Sequence, residues 1–110
     1  MKALVKVRPE PGLVYMDVEE PRIQNPDDVL FKVEYCAICV GETKVYDWNS
    51  WAADDKTLVL PTVLGHEAAG VVLEVGSGVT QFKAGDRIVN DPLICCGHCR
   101  HCREGFTNMC

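Results

Sequence analysis

The stretch CCGHCRHCREGFTNMC, residues 95–110, holds five cysteines and restricts this chain more than any other segment. Cys96, Cys99, Cys102 and Cys110 follow C-x2-C-x2-C-x7-C. Two-residue spacings let successive thiolates turn back onto one ion, and four thiolates at about 2.3 Å in a tetrahedron are what a structural zinc takes. Such a site has no open position, so it clamps a loop and does no chemistry. Iron–sulfur runs share C-x2-C-x2-C but continue with x3-C-P, whereas here the fourth cysteine lies eight positions on with no proline. A redox dithiol needs a strand-to-helix context that this stretch lacks. Unligated core cysteines do not suit so polar a loop. The spacing therefore predicts zinc on those four residues, with Cys95 a spare, packed thiol and His98 and His101 on the surface. Arg100 and Arg103 put positive charge near a centre that four thiolates leave dianionic.

Cys36 and Cys39 bring the total to seven cysteines in 110 residues. The odd number, the clustering and the lack of an apolar h-region in MKALVKVRPEPG argue against a secreted disulfide framework and for a reducing, cytoplasmic setting. The net charge is −5 and no basic stripe runs along the chain, so no nucleic-acid partner is expected. No apolar run approaches a membrane span. The length allows one domain, near the size at which a single core is stable alone.

Short apolar and β-branched runs punctuated by glycine and proline predict a mainly β fold, a small barrel or sandwich. KALVKV (2–7) and GLVYMDV (12–18) read as strands around a turn. DVLFKVEY (28–35) reads as a half-buried strand, with Val29, Phe31, Val33 and Tyr35 on one face and Leu30 the exception. CAICVGETKVYDW (36–48) breaks the alternation and predicts a turn and a short, poorly defined helix; WNSWAADDKT (48–57) reads as a surface loop. EAAGVVLEVG (67–76) is a long strand, with Gly70 marking a bulge or a close backbone approach. GDRIVND (85–91) is another strand.

Taken alone, the His66–Glu67 pair is weak, and Cys39 is ordinarily a buried small hydrophobe. The order changes that reading: a cysteine after a strand, then GHEAAGVVLEVGSGVTQFKAGDRI, then the four-cysteine knuckle. This arrangement resembles the zinc-dependent medium-chain alcohol dehydrogenases over nearly the whole chain. CVGETKVYDWNSW is most similar to the branch with threonine and polyol dehydrogenases. The resemblance implies a chaperonin-10 (GroES)-like β-barrel, incomplete here, as the N-terminal catalytic domain over residues 1–110, with a structural zinc lobe at 91–110. Cys39 and His66 match two ligands of a catalytic zinc, and Glu67 a carboxylate that ligates it or sits beside it. Cys96, Cys99, Cys102 and Cys110 match the structural zinc lobe. The activity implied is oxidation of a small-molecule secondary alcohol by Lewis-acid activation and hydride transfer to NAD or NADP. A homo-oligomer, dimer or tetramer, is expected of the full-length parent.

Two departures qualify the match. After the cysteine the family reads Gly, Ser or Thr, Asp; here the residues are Val40, Gly41 and Glu42, so the relay hydroxyl is missing. Glu42 is still expected to hold His66 by a hydrogen bond. Lys44 stands where the threonine branch often has a histidine. Secondly, no G-x-G-x-x-G occurs, since GSGVTQ fails at its last position. The reading expects a fragment whose nicotinamide-binding domain and further zinc ligand lie beyond residue 110. The rival readings are a non-catalytic zinc-stabilised binding module and a chaperonin-like subunit, the latter having no need of two metal sites.

Overall fold

A computed structural model describes residues 1–110 throughout. Alternation sets the first strand, β1 (Lys2–Lys6): Ala3 and Val5 turn inward while Lys2 and Leu4 face out. It pairs antiparallel with β2 (Val14–Asp17) on one side and with a two-residue strand further along, Thr62–Val63, on the other.

The second sheet is organised around β3 (Val29–Ala37). Its end leads into helix α1 (Val40–Asp47), and Trp48, in left-handed conformation at φ 51°, turns the chain into α2 (Ser50–Asp54). The stretch read as a surface loop therefore contains a helix. Asn49 caps it by accepting the Ala52 N–H at 3.2 Å, and Ala52 is fully buried. An Asn cap and one buried alanine per turn suffice for so short a helix. After β4, the Thr62–Val63 strand that alternation did not signal, come β5 (Glu67–Val75) and β6 (Arg87–Val89), giving the antiparallel order β3-β5-β6. Two turns close the chain: α3 (Arg100–Arg103) and a 3-10 turn, Thr107–Met109.

The β3–β5 pair runs from Val29 opposite Val75 to Ala37 opposite Glu67, with register shifts at Leu30/Phe31 and Val33/Tyr35. Those shifts break the single face expected for Val29, Phe31, Val33 and Tyr35. Val29 and Phe31 are half-buried, but Val33 and Tyr35 stand exposed. Gly70 sits at the second irregularity, where a Cβ would collide with the Lys32 carbonyl. The close approach read from that glycine is what the structure has.

Two three-stranded sheets do not close into a barrel, so each keeps an open face. The core is correspondingly small, with 8 of 110 residues buried, and it centres on Ala3, Val5, Val45, Ala52 and Val72. The one charged side chain in the core, Lys6, is completely enclosed.

Candidate metal centres

The terminal knuckle brings the Sγ atoms of Cys96, Cys99, Cys102 and Cys110 within 4.8 Å of one another. The backbone helps to gather them. The Cys99 N–H donates to Cys96 Sγ at 3.3 Å, and the Cys96 N–H donates to Cys110 Sγ at 3.3 Å. Main-chain N–H groups of His98 and Cys99 stabilise the Cys96 thiolate and hold its pKa at about 6. Burial, then a shared hydrogen bond with Cys99, pushes Cys102 up to about 12. His98 is exposed and its Nδ1–H donates to the Cys96 carbonyl at 2.7 Å; His101 is exposed as well. Cys95 is exposed, not packed as expected, because the loop has no core beneath it. Arg100 is turned to Glu104, 2.9 Å away, so its charge is shared with a carboxylate.

The second cluster joins Cys39, His66 and Glu67, whose ligand atoms also lie within 4.8 Å of one another. His66 lies 27 positions after Cys39 in sequence, and the sheet removes that distance. Ala37 pairs with Glu67, so the end of β3 and the start of β5 deliver the three side chains to one edge. Cys39 is the N-cap of α1, its sulfur accepting the Gly41 N–H at 3.4 Å. Glu42 completes a capping box: its Oε2 accepts the Cys39 N–H at 2.9 Å. Gly65 precedes His66 at φ +119°, and a Cβ there would press on Cys36 Sγ at 3.1 Å, so both the conformation and the space call for glycine.

The donor set fits a metal. A thiolate, an imidazole and a carboxylate are all zinc ligands, and three protein donors leave the open position that a catalytic site keeps. A second observation points the same way. Glu42 Oε1 is buried with no hydrogen-bond partner, and it lies 3.5 Å from His66 Nδ1. A proton on Nδ1 satisfies that oxygen and leaves the Nε2 lone pair for an ion.

Sequence reasoning missed Asn90. Its Nδ2 donates to the His66 carbonyl at 2.7 Å, its Oδ1 accepts the Ala68 N–H, and its own N–H donates to the Ala68 carbonyl at 3.0 Å. A lone amide side chain at the end of a predicted strand was the available signal. Position 41 faces the cluster, because a Cβ on Gly41 would stand 3.8 Å from Cys39 Sγ in ordinary contact. Lys44 places its ammonium 5.1 Å from the centre of the Trp51 ring.

A mainly β domain with one such cluster at a sheet edge and another in a terminal loop is the class of protein that fold and site define. The family described as the alcohol dehydrogenase GroES-like domain matches residues 25–110. The chain is 46% identical over 110 residues to an L-threonine 3-dehydrogenase of Chelativorans sp., covering 100% of this chain and 31% of that protein. An alcohol dehydrogenase from Thermus sp. ATN1 superposes with a TM-score of 0.82 at 36% identity, covering 100% of this chain and 30% of that one. A zinc dependent alcohol dehydrogenase from Streptococcus superposes with a TM-score of 0.76 at 35% identity, covering 96% of this chain and 28% of that one. The chain belongs to the alcohol dehydrogenase GroES-like domain family. It spans about 31% of the length of the curated relatives it matches.

Proposed function

We propose that residues 1–110 are the catalytic-domain portion of a zinc-dependent, NAD(P)-linked dehydrogenase that oxidises a secondary alcohol of hydroxy amino acid or polyol type. The observation that carries this is the convergence of Cys39, His66 and Glu67 at one sheet edge, with Glu42 behind His66. The name of the relatives, L-threonine 3-dehydrogenase, favours a hydroxy amino acid as the first substrate to try.

Bound zinc supplies Lewis acidity, which makes an alcohol O–H easier to deprotonate. The chain's residues set that up. Cys39 and His66 hold the ion, and Glu67 is the third donor. Glu42 keeps the proton on His66 Nδ1, so the imidazole presents its other nitrogen. Asn90 fixes the His66 and Ala68 main chain from the neighbouring strand. In the overall reaction the alcohol gives a hydride to the nicotinamide and a proton to solvent, leaving a ketone. Gly41 cannot pass that proton on, so it leaves by a path that does not use a hydroxyl at position 41. Cys96, Cys99, Cys102 and Cys110 hold a structural zinc away from the reaction. The whole protein is read as a soluble homo-oligomer in the cytoplasm.

The test is turnover by the whole protein that contains this chain, given L-threonine, polyols and simple secondary alcohols with NAD and with NADP. Reduced nicotinamide should form with at least one of them, and Cys39→Ser should abolish it. Unchanged turnover in that variant would remove the assigned centre from the reaction.

A further inference from the structure

Lys6 is a charged side chain with no exposure to solvent, yet it has no carboxylate partner. Its ammonium donates instead to three main-chain carbonyls: Glu10, Gly12 at 3.1 Å and Tyr46 at 3.0 Å. The face of Trp48 lies 5.2 Å away. Three N–H donors meet three acceptors, so the buried charge is fully hydrogen-bonded, which is the condition for keeping it there. Burial lowers its pKa against the opposing pull of the Glu10 and Asp47 charges, so the carbonyl bonds work against a desolvation cost.

The partners come from two places. Glu10 and Gly12 belong to the turn between β1 and β2, and Tyr46 to the last turn of α1. Carbonyls at a helix C-terminus lack intrahelical partners and carry partial negative charge, so an ammonium is well placed there. The Gly12 N–H adds a second bond to the same Tyr46 carbonyl at 2.9 Å. Trp48 is the one non-glycine residue at positive φ, a conformation that persists only when its surroundings enforce it. The lysine beneath its ring is part of that enforcement.

The far end of α1 carries Cys39 and Glu42. The helix is eight residues, about 12 Å long. Val45 is its only buried residue, so it has little core to hold its angle, and a tilt at Tyr46 is delivered to Cys39. We propose that Lys6 is a positioning residue for the Cys39–His66–Glu67 centre, pinning the C-terminal end of α1 to the β1–β2 turn and so fixing Cys39 and Glu42 against His66. This rests on the reading that those three residues take a metal.

The experiment compares wild type, Lys6→Met and Trp48→Leu in the whole protein that contains this chain. Cobalt(II) is titrated and followed by its thiolate charge-transfer and d–d bands, with the four-cysteine knuckle as internal control. Hydrogen exchange of the Cys39 and Glu42 amides is measured on the metal-free chains, with β5 amides as reference. The expected result for Lys6→Met is roughly tenfold or greater loss of cobalt affinity at the mixed-donor site, the knuckle unchanged, and faster exchange at Cys39 and Glu42 with the β5 amides unchanged. Trp48→Leu, which leaves all three carbonyl bonds, should show the same pattern in weaker form. If Lys6→Met does not fold, Trp48→Leu decides by the same two readouts. Wild-type cobalt binding and unaltered Cys39 exchange in the variants would overturn the proposal while leaving the metal reading intact. If wild type binds cobalt at the knuckle alone, the metal reading fails, and exchange at Cys39 still decides whether Lys6 positions α1.

Discussion

One carboxylate oxygen of Glu42 lies 3.5 Å from Nδ1 of His66, and that oxygen is buried with no other partner. The contact is long for a hydrogen bond, and it defines what the histidine must do. Glu42→Gln keeps the size and an oxygen for the Cys39 N–H but turns an amide NH2 toward Nδ1. Two donors would then face each other. Cobalt or zinc affinity at Cys39–His66–Glu67 should fall by about ten- to a hundredfold, with the knuckle unaffected, by competitive chelator titration.

Cys95→Ser should leave zinc content unchanged, whereas Cys99→Ser should lose one ion and disorder residues 96–110. Cys95 lies outside the group of four close sulfurs and is exposed. Metal analysis of the purified variants checks this. An ion lost from Cys95→Ser would mean that the wrong cysteines have been named.

Without metal, the knuckle thiols should titrate apart. Cys96 ionises near 6 against an ordinary 9, and Cys102 near 12. A depressed thiol stabilises the folded loop by its anion. That contribution is whole above pH 9, shrinks as pH falls, and is gone below about 6. Iodoacetamide should therefore modify Cys96 at a rate that levels off by about pH 7, while Cys102 is still gaining reactivity at pH 9. Mass spectrometry of partially alkylated chain reads both.

The two centres should differ in hold. Four thiolates within fifteen residues lose little loop entropy on closing, and they leave no place for water. Cys39, His66 and Glu67 leave a position open and exchange faster. Mild chelation of zinc-loaded chain should strip one ion and leave about one. Two ions that both survive would show that the second site is complete within these 110 residues.

Asn90→Asp replaces the donor to the His66 carbonyl with an oxygen that cannot donate. The expected outcome is weaker metal binding at His66 without loss of the β5–β6 pairing, which backbone bonds also hold. Cobalt titration alongside amide exchange at Val72, whose N–H donates to the Asp86 carbonyl at the β6 end, separates the two effects.

Much of the candidate site was legible because its residues carry their own chemistry. Cysteine spacing names the knuckle, and His66 with Cys39 stands out once the segments around them are read together. Gly70 was legible because a glycine inside a strand has few other uses. Asn90 and Lys6 were not. Their roles depend on which carbonyls the fold brings to them, and periodicity carries no record of that. The helix at Ser50–Asp54 was hidden by its five-residue length, since one buried alanine leaves no stripe to detect. Val33 and Tyr35 stand exposed because nothing covers either face of the end of β3, where residues 32–37 are all exposed, and alternation cannot signal that.

The pairing of Ala37 with Glu67 has a consequence for exchanging parts between relatives. All three donors of the mixed site sit at one end of a single two-strand unit, β3 with β5, while α1, α2 and β4 lie in the connection between them. A chimera that swaps residues 29–75 as a block moves the ligand set, Glu42 and the Gly70 contact together. A junction placed between 43 and 65 inherits Cys39 and Glu42 from one parent and His66 and Glu67 from the other, and so must rebuild the match between them. Residues 96–110 travel as an independent cassette. Recombination libraries built on this domain should therefore keep metal-binding members on one side of that boundary and lose them across it.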